Sequence, residues 1–163
     1  MLCIDKIDSI FVRLTLTITM RNLFIVVLFL IANTLFSQEI TSKIASENFN
    51  QGDFNLALKN YLELAKQEPE NVKYNYRIGV CYLNTNIDKA KAVSYLEKAL
   101  KSEEADPNTG YLLGRAYHFA YRFNDAIKMY EQFKSANKGN PENLLDVEKQ
   151  IEYCYNAIEL MKF

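Results

Sequence analysis

The residues best able to do chemistry are few: one histidine, His118, and three cysteines, Cys3, Cys81 and Cys154, in a chain of 163. A single histidine excludes metal sites built on two imidazoles. The Asp and Glu residues scatter along what read as helix surfaces, whereas acid–base work by paired carboxylates needs two of them at one locus. Gly-rich phosphate loops, CxxC pairs and a Ser-centred elbow do not occur in the sequence. The expectation is therefore a protein with no catalytic residue, metal ligand or cofactor, and no small-molecule substrate. An enzyme reading would rest on His118 or a carboxylate, with an activity lost when that residue is changed.

What the chain does contain is a helical pattern written three times. Ala57, Ala92 and Ala126 recur at spacings of 35 and 34, with Tyr61, Leu96 and Tyr130 four residues after each. A second series, Ala45, Gly79 and Gly114, runs ahead of it at 34 and 35, and Tyr82 and Tyr117 follow their glycines by three. Small residues at fixed places let helix backbones approach closely, and the aromatics fill the space between layers. Two series in one register resemble the tetratricopeptide repeat (TPR), a helix–turn–helix unit of about 34 residues.

The resemblance implies an all-α solenoid of three hairpins, at residues 38–71, 72–106 and 107–140. Helices are expected near 40–50 and 54–67 in the first, around a turn at Gln51-Gly52-Asp53. Pro69 ends the first hairpin, and Pro107 is placed at a helix start. Position four, often tryptophan in the family, is Thr41, Asn75 and Gly110 here, and the turn glycine survives only as Gly52. After Pro141 the apolar residues Leu144, Leu145, Val147, Ile151, Cys154, Ala157 and Ile158 keep helical spacing, with Asp146, Glu148, Lys149 and Glu152 on the other face. This is the pattern of a capping helix, residues 141–163, which closes a solenoid with a polar outer side.

Residues Leu23 to Phe36 carry no charge, follow Met20-Arg21-Asn22 and precede Ser37-Gln38. That is the layout of a secretory signal peptide. The reading taken is a start at Met20, a signal over 20–37 cleaved before Gln38, and an upstream extension over 1–19. The competing membrane anchor needs about 20 apolar residues. An exported chain would keep Cys81 and Cys154 in an oxidising compartment. A disulfide requires their Cα atoms to come within about 7 Å, and repeat three is expected to lie between them, so two buried thiols are the simpler expectation.

The composition, 49% hydrophobic and 24% charged, is that of a folded domain, and a net charge of −1 argues against nucleic acid. In TPR superhelices the first helix of each repeat lines a groove. By resemblance that groove takes Lys73, Tyr76, Leu83 and Asn84 from repeat two and Tyr111, Arg115 and His118 from repeat three. The result is a mildly basic, aromatic stripe suited to a protein or peptide partner of acidic character, although a charge on a helix is often only solvated. Chaperone-binding TPR domains use a Lys and Asn pair in the first repeat, where this chain has Ser42 and Ser46. The phrases Arg77 to Leu100 and Ile151 to Met161 are also similar to the N-terminal part of Gram-negative envelope proteins in which TPRs precede a β-propeller and an OmpA-like domain, some of them in secretion or gliding machinery. The expectation is an exported scaffold at the periplasmic face of the outer membrane. A self-associating structural module, or the front of such a larger protein, is the alternative.

Overall fold

The computed structural model describes residues 20–28, 41–137 and 141–162, and the chain divides into two units, Met1–Ile40 and Thr41–Phe163. In the first unit residues 20–28 are helical with their apolar side chains exposed. The 1–19 extension, the cleavage point before Gln38 and residues 38–40 of repeat one lie outside the described residues. Among the described residues no helix is long and apolar enough to cross a membrane.

The second unit is a stack of helices: α1 (residues 41–50), α2 (Phe54–Gln67), α3 (Val72–Asn84), α4 (Ala92–Leu100), α5 (Thr109–Phe119), α6 (Phe123–Ala136) and α7 (Pro141–Leu160). Each is set by local chemistry. Gly52 turns the chain at φ +79°, and Asp53 then caps α2 by accepting from the Leu56 amide at 3.2 Å. Asn71 caps α3 the same way through Tyr74, at 3.1 Å. Along α2 the buried residues are Ala57, Leu58, Tyr61 and Leu64, and along α6 they are Phe123, Ala126, Ile127, Tyr130 and Phe133. Both sets follow the three-and-four spacing of a helix with one buried face.

The three hairpins differ in their turns. The chain between α3 and α4 forms a 3₁₀ turn, Lys89–Lys91, and α4 is left with nine residues against fourteen in α2 and α6. The Lys89 ammonium donates to the Leu83 carbonyl at 2.7 Å and lies 5.2 Å from the centre of the Phe119 ring, which ties this turn to α5. Pro107 does not begin α5. It occupies a turn that Thr109 closes on the Asp106 carbonyl at 2.8 Å, and the Asp106 carboxylate accepts from the Asn108 amide. The acidic side chain organises the entry to the helix, so the proline sits two residues before it. Asn75, at the place of the family's tryptophan, is buried and donates to the carbonyls of Pro69 and Asn71, each at 2.9 Å. A short amide therefore ties down the inter-hairpin turn where a large ring was missing.

The glycines act where the register puts them. A methyl on Gly79 would lie 2.4 Å from Leu96 Cγ, and one on Gly114 would lie 2.6 Å from Tyr130 Cε1. The two helices of a hairpin meet at these points, and the small residue admits the large one. Ala57, Ala92 and Ala126 are fully buried. Cys81 and Cys154 are both buried and free, as the intervening repeat required. Val147 and Cys154 turn α7 inward against α6, while Asp146, Glu148, Lys149 and Glu152 are exposed, so α7 covers the last hairpin as a cap.

Candidate protein-binding groove

Successive helices pack on one another, and α3 also touches α5 while α5 touches α7. The first helices of the hairpins thus share one face, which α1 joins through a hydrogen bond from Arg77 to Ser46. The sequence-predicted site residues distribute unevenly over it. Lys73 is exposed, and with the half-buried Tyr76 it lines a cleft of about 310 Å³. The Tyr76 hydroxyl stands beside Asp106, and burial followed by that carboxylate pushes its pKa up.

One repeat further on, Tyr111 lies with its ring 5.8 Å from Tyr130 and 5.6 Å from Phe133, and its hydroxyl donates to Asp146 of α7. Burial, then Asp146, push its pKa up to about 12. Arg115 is half-buried beside it and makes no hydrogen bond or ion pair among the described residues. It is the cation of the predicted stripe that is best placed to take a new partner.

One predicted groove residue is corrected, and the charge of another is revised. Leu83 is 1% exposed and belongs to the core, in the last turn of α3, where its carbonyl also accepts from Lys89 of the following turn. His118 is half-buried against the Phe123 ring at 5.5 Å, with its Nδ1 3.6 Å from Cys154 Sγ. Burial lowers its pKa below 6.5, so it is neutral at pH 7 and adds no charge to the stripe. Asn84 is exposed but turned back on its own helix, donating to the Val80 carbonyl at 2.8 Å. The face is also less basic than the sequence suggests, since Asp106 and Asp146 stand beside its two tyrosines.

Arg77 was missed. It follows the predicted Tyr76 directly, and its guanidinium donates to the hydroxyls of Ser46 (2.8 Å) and Tyr61 while lying 4.7 Å from the centre of the Phe49 ring. The signal for it was a cation at the sixth place of the second repeat's first helix, next to a groove position. Among the described residues no group of His, Cys, Asp or Glu is arranged to hold a metal ion.

Against this geometry the comparisons fall into place. Residues 75–103 match the family model described as Tetratricopeptide repeat. No curated protein matches the chain. Among solved structures, the chain is similar to the first TPR of Spaghetti (RPAP3) bound to HSP90 peptide SRMEEVD, with TM-score 0.59 and 16% identity over 75% of this chain and 93% of that one. It is also similar to the first TPR domain of human RPAP3, with TM-score 0.56 and 17% identity over 73% and 95%. MamA from Desulfovibrio magneticus RS-1 gives TM-score 0.58 and 20% identity over 77% and 74%. Residues 75–103, in the second hairpin, thus carry the signature of a tetratricopeptide repeat, and the helical stack has the fold of solved TPR domains.

Proposed function

We propose that the protein is an exported scaffold of the cell envelope, and that it holds a protein or peptide partner on the face shared by α1, α3, α5 and α7. The observation that carries this reading is Arg115: a half-buried cation, without a partner among the described residues, beside a tyrosine ring fixed by Asp146. A half-buried charge with no ion pair among the described residues gains when a carboxylate arrives. The RPAP3 domain bound to the HSP90 peptide SRMEEVD supports a peptide ligand with acidic character. Binding would work by shape and charge on a rigid surface, without a cofactor or a chemical step. Export, cleavage before Gln38 and a place in an outer-membrane, secretion or motility complex rest on the leader and on the resemblance to envelope proteins.

The test is capture from envelope extracts by the full chain, wild type against Arg115→Glu and Lys73→Glu, with helical circular dichroism checked for each. A partner lost in the folded Arg115→Glu variant supports the groove, whereas a partner kept by both variants rejects it. N-terminal sequencing of the exported protein that begins before Gln38 rejects the cleavage assignment.

Self-association is a second reading with its own observation. Exposed Tyr121 and Met161, with Phe123 and Ile158, edge a cleft of about 290 Å³ between the α5–α6 turn and the end of α7. A mass by light scattering that rises with concentration and falls back on Tyr121→Ser favours it over capture of a foreign partner.

A further inference from the structure

The cleft at the start of α3 is lined by Lys73 and Arg77 of that helix and by Glu104 and Asp106 of the segment before α5. Arg77 spends Nη1 on two neutral hydroxyls, Ser46 and Tyr61, and its plane is fixed by the rings of Phe49 and Tyr61, at 4.7 and 5.5 Å from their centres. None of its donors reaches a carboxylate among the described residues, although a guanidinium has five. Lys73, one helical turn earlier, is exposed and likewise unpaired among the described residues. Across the cleft Asp106 is committed, to the Asn108 amide at 2.8 Å and to the Tyr76 hydroxyl. Glu104 is exposed, and no described cation pairs with it.

We infer that this cleft reads a charge-paired segment of the partner, in which an acidic residue docks on Arg77 and Lys73 while a neighbouring basic residue faces Glu104. The inference rests on the groove reading above and narrows it. Arg77 is already held in place by its ring and hydroxyl contacts, so a carboxylate that joins it loses little side-chain freedom on the protein's side. A uniformly acidic segment would bring its second carboxylate against Glu104 and Asp106, and like charges across an interface suppress a partner. A neutral segment would leave both cations unanswered. The matched ligand carries both signs close together, which narrows the acidic character that the sequence stripe suggests.

Panning phage-displayed random peptides against the full chain tests this. The wild type should enrich sequences with an acidic residue close to a basic one. A synthetic peptide from that pool should bind Lys73→Gln and Arg77→Gln about tenfold more weakly, the loss of a charge-assisted contact. Glu104→Gln should shift enrichment toward sequences with acidic residues alone. Lys73 and Glu104 are exposed, so those two variants test the idea even if Arg77→Gln loosens the α1–α2 packing. Enriched peptides without an acidic residue, or equal binding by wild type, Lys73→Gln and Arg77→Gln, overturn the proposal. If such peptides instead depend on Arg115, the groove reading stands and this cleft is rejected. If no peptide is enriched, both fall.

Discussion

The first and third hairpins are built on one template and finish it with opposite chemistry. Each buries a tyrosine of its second helix, Tyr61 or Tyr130, and a small residue at the matching register place of its first, Ala45 or Gly114. Each tyrosine then meets the next helix of the stack, α3 or α7. In the first hairpin α3 supplies Arg77, and the Tyr61 hydroxyl accepts from it. In the third, Asp146 of α7 is taken by Tyr111, and the fully buried Tyr130 hydroxyl has no partner among the described residues. The turns diverge as well, since Gly52 at φ +79° is matched in the third hairpin by Tyr121 at φ +58°. A repeat fold thus conserves its steric contacts more strictly than its polar ones. A misplaced methyl forces the helices apart, whereas an unmatched buried hydroxyl costs about 1–3 kcal/mol and leaves the packing in place.

The largest effect is expected where the template itself is broken. Gly114→Ala forces a methyl into the Tyr130 ring and should destabilise by about 1–3 kcal/mol in urea unfolding. Ala45 already carries that methyl in the first hairpin, so an unchanged stability for Gly114→Ala would mean that the Tyr130 ring gives way and the third crossing accommodates a methyl as the first does. The polar difference is sharpened by a pair of hydroxyl deletions. Tyr61→Phe removes an acceptor from Arg77 and should cost about 1 kcal/mol, while Tyr130→Phe removes only an unsatisfied group and should be neutral or slightly stabilising. Equal losses from both would show that the Tyr130 hydroxyl is satisfied after all. A smaller gain, up to about 1 kcal/mol, is expected from Tyr121→Gly, which relieves a left-handed backbone at a side chain that is mostly exposed. A lower melting temperature for that variant would show that the ring's edge contact with Phe123 outweighs the strain.

The third hairpin alone should also respond to mild acid. His118 has its pKa lowered by burial, so the unfolded chain takes up a proton there first. Its contribution is complete above about pH 6.5 and is lost as the pH falls through the lowered value. His118→Leu should flatten the urea midpoint over that range, and an unchanged slope would place the acid response elsewhere.

The register of small and aromatic residues made the fold legible because steric fit imposes strict periodicity. Gly79, Gly114 and the three alanines fell where the spacing put them. The groove was less legible, for physical reasons. Leu83 and Lys73 both occupy lining positions of the repeat, but the packed stack takes the first into the core and leaves the second in solvent. The charge of His118 depends on α7 and Phe123, which no spacing within its own repeat reports. Arg77 escaped because its partners, Ser46, Phe49 and Tyr61, lie up to 31 residues earlier, and only the packed stack brings them together. Pro107 was misplaced because Asp106, through a local side-chain turn, governs how the chain enters α5.

The two buried thiols make the protein its own reporter of opening. Burial pushes Cys81 up to about 12 and Cys154 up to about 11, so in the closed stack neither forms an appreciable thiolate near neutral pH. Alkylating reagents can therefore reach either sulfur only after the packing around it parts. Cys81 sits in the middle of the stack and Cys154 in its cap, so their separate modification rates would time the lifting of the cap against the parting of the central hairpin. A partner gripping the groove would slow one clock more than the other, and the ratio would say which end it holds.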